Sequence, residues 1–170
     1  MRRRTRVSGR VVGTFAALAT LAGLAACRPA AKPLAAVRLD GGQPTVLLAT
    51  CPDFQIDAIS VYVESGSATA AASGPGRRLE RTGPQAPDRM PLLGQPPAGW
   101  SASDSSLTAL APGQAYGLTA YAHAQPTLTI TFTAEELAAL GVGEVLVGKQ
   151  PSSHEKVTEK EFRKRAEDSC

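Results

Sequence analysis

The chain has 170 residues, 43% of them hydrophobic and 19% charged, which is room for one ordinary globular domain and a processing segment. Its formal charge of +3 is unevenly spread: Arg2, Arg3, Arg4, Arg6 and Arg10 all lie in the first ten residues, and taking these five from 18 basic residues leaves 13 against 15 acidic ones, a net charge of −2. A mildly acidic domain lacks the basic footprint of a nucleic-acid binder, so no nucleic-acid partner is expected.

The chain opens with a cationic stretch, Met1 to Arg10, followed by sixteen uncharged residues from Val11 to Ala26. A spanning helix needs about 20 apolar residues, so this segment is short for an anchor and suits a cleaved signal, residues 1–26. Leu24-Ala25-Ala26-Cys27 closes it and resembles the lipobox of bacterial lipoproteins. That resemblance implies a diacylglyceryl group on the Cys27 thiol and cleavage before it. Two acyl chains hold a protein stably where one does not. The expectation is a lipid-anchored, extracytoplasmic protein tethered to the cell membrane without spanning it. A secretory signal with a chance cysteine, or an uncleaved helix, are the competing readings; twin-arginine export from Arg3-Arg4 fits poorly.

Residues 27–36, rich in Pro and Ala, read as the lipidated cysteine and a flexible tether. The domain expected over 37–150 starts with Thr45 to Thr50, apolar enough for a buried strand. Ile56 to Glu64 alternates, with Ile59, Val61 and Val63 on one face. Cys51-Pro52-Asp53-Phe54 looks like a turn, making these two runs neighbouring strands. Residues 65–105 are dominated by Gly, Pro, Ala and Ser, with one possible edge strand at Arg77-Arg78-Leu79-Glu80-Arg81. So long a loop points to a functional or mobile segment. It carries the single tryptophan, Trp100, either capping the core or serving as an exposed partner contact.

Regular structure is expected again at Ser106 to Leu110, Ala115 to Ala122 and Thr127 to Phe132. Leu110-Ala111-Pro112-Gly113-Gln114-Ala115-Tyr116 resembles the tyrosine corner of fibronectin type III and immunoglobulin-like domains, with Leu110, Pro112 and Tyr116 as its marker residues. The resemblance implies a mainly β, immunoglobulin/fibronectin-like β-sandwich with one or two short helices towards the C-terminus. Thr133 with Glu136 forms a capping box and Phe132 with Leu137 a hydrophobic staple, predicting a helix from Ala134 to Leu140 that ends at Gly141. Glu144 to Gly148 reads as a last strand. The same device recurs at Thr158 with Glu161 and Val157 with Phe162, placing a helix from Glu159 to Asp168 within a C-terminal segment, 151–170.

Beyond Cys27 only Cys51 and Cys170 remain, and in an exported protein two leftover cysteines suggest a disulfide, with two free thiols as the alternative. A metal site is not expected from His123 and His154 alone. A triad from His123 with Asp104 or Asp57 lacks a serine in a Gly-x-Ser-x-Gly string, Asp53 and Asp57 are ordinary turn residues, and Gly74-Pro75-Gly76 is no phosphate loop. Neither catalysis nor a cofactor is expected.

Together, the Leu24-Ala25-Ala26-Cys27 string, the run around Cys51-Pro52, the helix entry Phe132 to Leu137 and the Glu161-Phe162 helix ending in Cys170 resemble small lipoproteins of high-GC actinobacteria. The resemblance implies location more than role. The leading expectation is a non-catalytic interaction module that presents residues 65–105 to a protein or glycan partner in the cell envelope. The rivals are a small-ligand carrier or envelope enzyme with a pocket between sandwich and helices, and an accessory subunit of a membrane complex.

Overall fold

Strand β3 (Ala58–Val63) buries Ile59 and Val61 and leaves Ser60 and Tyr62, the residue after each, partly exposed, the alternation of a strand with one face on a core. A computed structural model of the chain describes residues 31–64, 74–84, 86–150 and 153–170. The lipobox residues Leu24, Ala25, Ala26 and Cys27, and the stretch 65–73, lie outside the described residues.

Strand β3 is the centre of a second sheet ordered β6 (Trp100–Ser105), β4 (Gly76–Arg81), β3, β7 (Tyr116–Ala122), β8 (Gln125–Pro126), with β9 (Ile130–Phe132) also pairing to β7. The first sheet is ordered β11 (Ser153–Thr158), β10 (Glu144–Lys149), β1 (Ala35–Asp40), β2 (Gln43–Leu48), β5 (Arg89–Pro91). All pairings are antiparallel. The protein is thus mainly β, two antiparallel sheets packed as a sandwich, with two short helices near the C-terminus, α1 (Ala134–Ala138) and α2 (Glu159–Ser169). Residues Ala31–Cys170 form one compact unit.

The first sheet is buried on both faces at its centre, in β1, β2 and β10. Val37 lies across from Val46 and Leu146, facing the sandwich core, and all three are buried. Ala36, with Leu47 and Val147 beside it, faces the other way and is equally buried. Helix α2 covers that outer row, packing on β10 and β11 with Phe162 and Ala166 inward. This explains why Val46-Leu47-Leu48 runs apolar without alternating.

Thr133 accepts from the Glu136 N–H at 3.2 Å while the Glu136 carboxylate accepts from the Thr133 N–H at 2.8 Å, a complete capping box. At α2 only half of the box forms: Thr158 accepts from the Glu161 N–H at 3.1 Å, but the Glu161 carboxylate is engaged by Arg165 at 2.9 Å. The tyrosine corner has the expected bond, with the Tyr116 hydroxyl oxygen accepting from the Ala111 N–H at 2.6 Å.

Several expectations need correction. The tether does not reach residue 36: Leu34, Ala35 and Ala36 are buried and β1 begins at Ala35. Strands β2 and β3 are not neighbours but belong to opposite sheets, and Cys51 to Phe54 forms the crossing, closed by an isolated bridge between those two residues. Residues 74–105 are not one long loop, since they hold β4, β5 and β6. Strand β5 spans three residues, and β6 is a polar edge strand whose inner face carries little more than Trp100, so neither has a periodic signature. Ser106 to Leu110 contains no strand; Leu107 is instead buried as a plug from an irregular segment. The strand expected at 127–132 begins at Ile130, and α1 ends at Ala138. Strand β11 was not foreseen because its sequence, Ser-His-Glu-Lys-Val-Thr, is polar and sits at a sheet edge.

Candidate binding cleft

Three irregular stretches meet at one end of the sandwich. Strands β1 and β2 turn there through Gly41 and Gly42, both at positive φ (57° and 82°), the backbone a two-residue hairpin demands. The chain leaving β5 passes beside this hairpin, anchored by a 2.9 Å bond from the Leu92 N–H to the Pro44 carbonyl. Residues 108–110 approach from the second sheet, just ahead of the tyrosine corner, and Ala134 opens α1 nearby. Between them lies a cleft of about 590 Å³.

Its walls are largely apolar: Leu39 and Pro44 on the hairpin, Pro91 and Leu93 after β5, and Leu110 opposite. Leu39, Leu93 and Leu110 are half-buried, each resting on the core with one side turned outward. Gln43, Gln95 and Thr108 supply the polar side chains, and among the described residues no acidic, basic, histidine or cysteine side chain lines the cleft. The Leu110 wall is stiffened twice, by the Tyr116 bond to Ala111 and by a 2.9 Å bond from the Gly113 N–H to the Glu135 carboxylate on α1. That bond contributes to holding the Glu135 carboxyl below its ordinary value, after the backbone N–H of Glu135 itself.

Behind this cleft sits a charge on β4, which lies between β6 and β3 and is not the edge strand expected at Arg77 to Arg81. Arg77 points into the sandwich on the same face of β4 as Leu79 and is only 6% exposed. Its Nη2 donates to the carbonyl oxygen of Gly94, a cleft-wall residue, while its Nε has no hydrogen-bond partner. The signal was available: in Arg77-Arg78-Leu79-Glu80-Arg81, period two puts Arg77 on the side of the apolar Leu79. Arg78 and Glu80 face outward and pair at 2.7 Å. Asp104, across from Arg78 on β6, is held below the usual carboxylate range chiefly by the N–H and hydroxyl of Ser106, the Arg77 charge adding to them.

The residues singled out from sequence fall in separate places. Cys51 and Cys170 form a disulfide, with 2.02 Å between sulfurs and 5.3 Å between Cα atoms, tying the end of α2 to the segment after β2. Such a bond indicates an oxidising, extracytoplasmic compartment. Trp100 is 6% exposed and begins β6 with its ring in the core, so it caps the sandwich and the exposed-anchor reading is corrected. His123 is exposed and lies 3.8 Å from Asp57, while His154 Nδ1 is 2.5 Å from the Thr131 carbonyl on another strand. Among the described residues no group of three His, Cys, Asp or Glu converges on a metal position, and no helix is long and apolar enough to cross a membrane.

Comparison with protein-family models, with curated proteins and with solved structures finds no match for this chain. The chemistry of the cleft must therefore be read from its own residues. Its volume lies within the range of small-molecule sites, and an apolar lining with a few amide and hydroxyl groups suits the binding of a partly apolar ligand.

Proposed function

We propose that this chain is a lipid-anchored extracytoplasmic lipoprotein that acts as a non-catalytic binding module at the bacterial cell envelope, with the cleft as its binding element. One observation carries the address: of three cysteines, Cys51 and Cys170 are bonded to each other, which leaves Cys27 as the odd one, sitting in the lipobox string. A thiol outside the disulfide is the chemical requirement for a thioether-linked lipid. The cleft lining supports binding over catalysis, because among the described residues it offers no carboxylate, imidazole or thiol to move a proton or attack a substrate.

The immunoglobulin-like resemblance adds only a scaffold, since a fold of this kind carries many functions. The cleft favours a small ligand over a protein or glycan partner docking on residues 65–105, because that stretch contributes three strands, β4, β5 and β6, to the two sheets and Trp100 is withdrawn into the core.

Metabolic labelling with a clickable fatty acid tests the address: the wild-type chain should take up label, and Cys27→Ser should not. Equal labelling of the two would mean that the lipobox is misread. A thermal-shift screen of the unlipidated chain tests the module. One class of partly apolar compounds should raise the melting temperature, and Leu93→Asp in the cleft wall should cancel that rise.

A further inference from the structure

We propose that the cleft takes amphipathic ligands bearing a single oxyanion head, a carboxylate or a phosphate monoester, and that Arg77 is the residue that reads the head. This inference rests on the cleft being the binding element. A guanidinium presents Nε–H and Nη2–H as two parallel donors along one edge, the geometry that grips an oxyanion in bidentate fashion. In Arg77 one of these donors is satisfied by the Gly94 carbonyl and the other is buried without any partner. A neutral carbonyl is a poor match for a cation that is 6% exposed, because a buried charge needs a charged or fully hydrogen-bonded counterpart. An oxyanion placed on that edge would fill the empty donor and neutralise the charge.

The wall between Arg77 and the cleft can yield. Gly94 holds φ at +80°, a conformation glycine adopts freely, and nothing lies within 4 Å of where its side chain would stand. Turning its carbonyl away frees Nη2 and opens the guanidinium edge to a ligand head in the cleft. Among the described residues that line the cleft none is a cation, and Arg77 stands behind Gly94, while Leu39, Leu93 and Leu110 receive the apolar body.

Calorimetric titration of the unlipidated chain from residue 28 onward, whose core lies within the compact unit Ala31–Cys170, tests this with three probes of one chain length. Decanoate and decyl phosphate should each bind about tenfold or more tighter than decanol, the scale of one charge-assisted contact. If only one anion shows the preference, that one names the head group. Arg77→Met should erase the preference for the two anions over decanol. Equal binding of decanoate and decanol by the wild-type chain overturns the role of Arg77 while the cleft stands; failure of all three to bind overturns the cleft itself. Should Arg77→Met not fold, the NMR signal of the Arg77 Nε–H in the wild-type chain decides. It should move on adding decanoate and stay in place with decanol, and an unmoved signal in both overturns the proposal.

Discussion

Ala111 and Tyr116 are joined across the tyrosine corner by a 2.6 Å hydrogen bond, the backbone N–H of Ala111 donating to the phenolic oxygen. Tyr116 is almost fully buried, with its ring 6.0 Å from that of Phe132, so the hydroxyl is the single polar point of an otherwise apolar side chain. Tyr116→Phe keeps the ring and removes the acceptor. The expected loss is about 1–2 kcal/mol in urea denaturation. Leu110 stands next to Ala111, so the same variant should also weaken ligand binding at the cleft wall.

The disulfide between Cys51 and Cys170 closes a sequence separation of 119 residues. Chain-entropy arguments put the stabilisation from a loop of this length at about 4–5 kcal/mol. Cys51→Ser with Cys170→Ser, or reduction of the native bond, should lower the denaturation midpoint accordingly. Arg163 still donates to the Leu48 carbonyl at 2.6 Å, holding the middle of α2. Hydrogen exchange should therefore quicken at the end of α2 before it does around Phe162.

The hairpin between β7 and β8 turns on His123 and Ala124, at φ 49° and 65°, with no glycine at either position. An L-residue in this region is disfavoured by about 1–2 kcal/mol. Ala124→Gly should stabilise the domain by about 0.5–1 kcal/mol, part of the gain being offset by the greater freedom of glycine when unfolded. A rise in melting temperature checks it; a fall would mean that the Ala124 methyl makes a contact worth more than the strain.

Four carboxyls, Asp104, Glu135, Glu144 and Glu155, are held below their ordinary values. The main causes are the Ser106 N–H for Asp104, backbone N–H groups for Glu135, the Gly141 N–H for Glu144 and the Arg165 guanidinium for Glu155. A lowered carboxyl contributes stability above its unfolded value and loses it as pH falls through its folded value. The Tyr62 phenol is pushed the other way, mainly by burial, so its contribution is lost as pH rises beyond 10.0. Melting temperature should therefore hold level through neutral pH and fall on both the acidic and the strongly alkaline side. Tyr62→Phe should flatten the alkaline fall alone.

Local devices were the most legible in the sequence. Thr133 and Glu136 announce a helix start because the capping atoms lie within one turn, and Leu110 to Tyr116 announces a corner for the same reason. The cysteine pair was readable by elimination. Edge strands were not: β5, β6 and β11 need few apolar residues, since one side of each lacks a neighbour in the sheet. The start of β1 was hidden by Pro and Ala, as Ala35 and Ala36 are buried by their surroundings more than by their own apolar bulk. The cleft was out of reach because its walls come from four stretches, near residues 39–44, 91–95, 108–110 and 134, that only the fold brings together. Arg77 lay between these cases, its inward aim visible in the alternation with Leu79 but its neighbour Gly94 not.

Strand β1 lies between β2 and β10, with Val37 across from Val46 on one side and Leu146 on the other. It is also the first strand after residue 34, so tension applied ahead of the domain runs along its axis. The bonds of both ladders lie across that axis and share the load together, in shear, where a hairpin pulled open from its end would give way one bond at a time. A strand loaded along its axis between two partners in this way resists pulling better than a hairpin opened from its end.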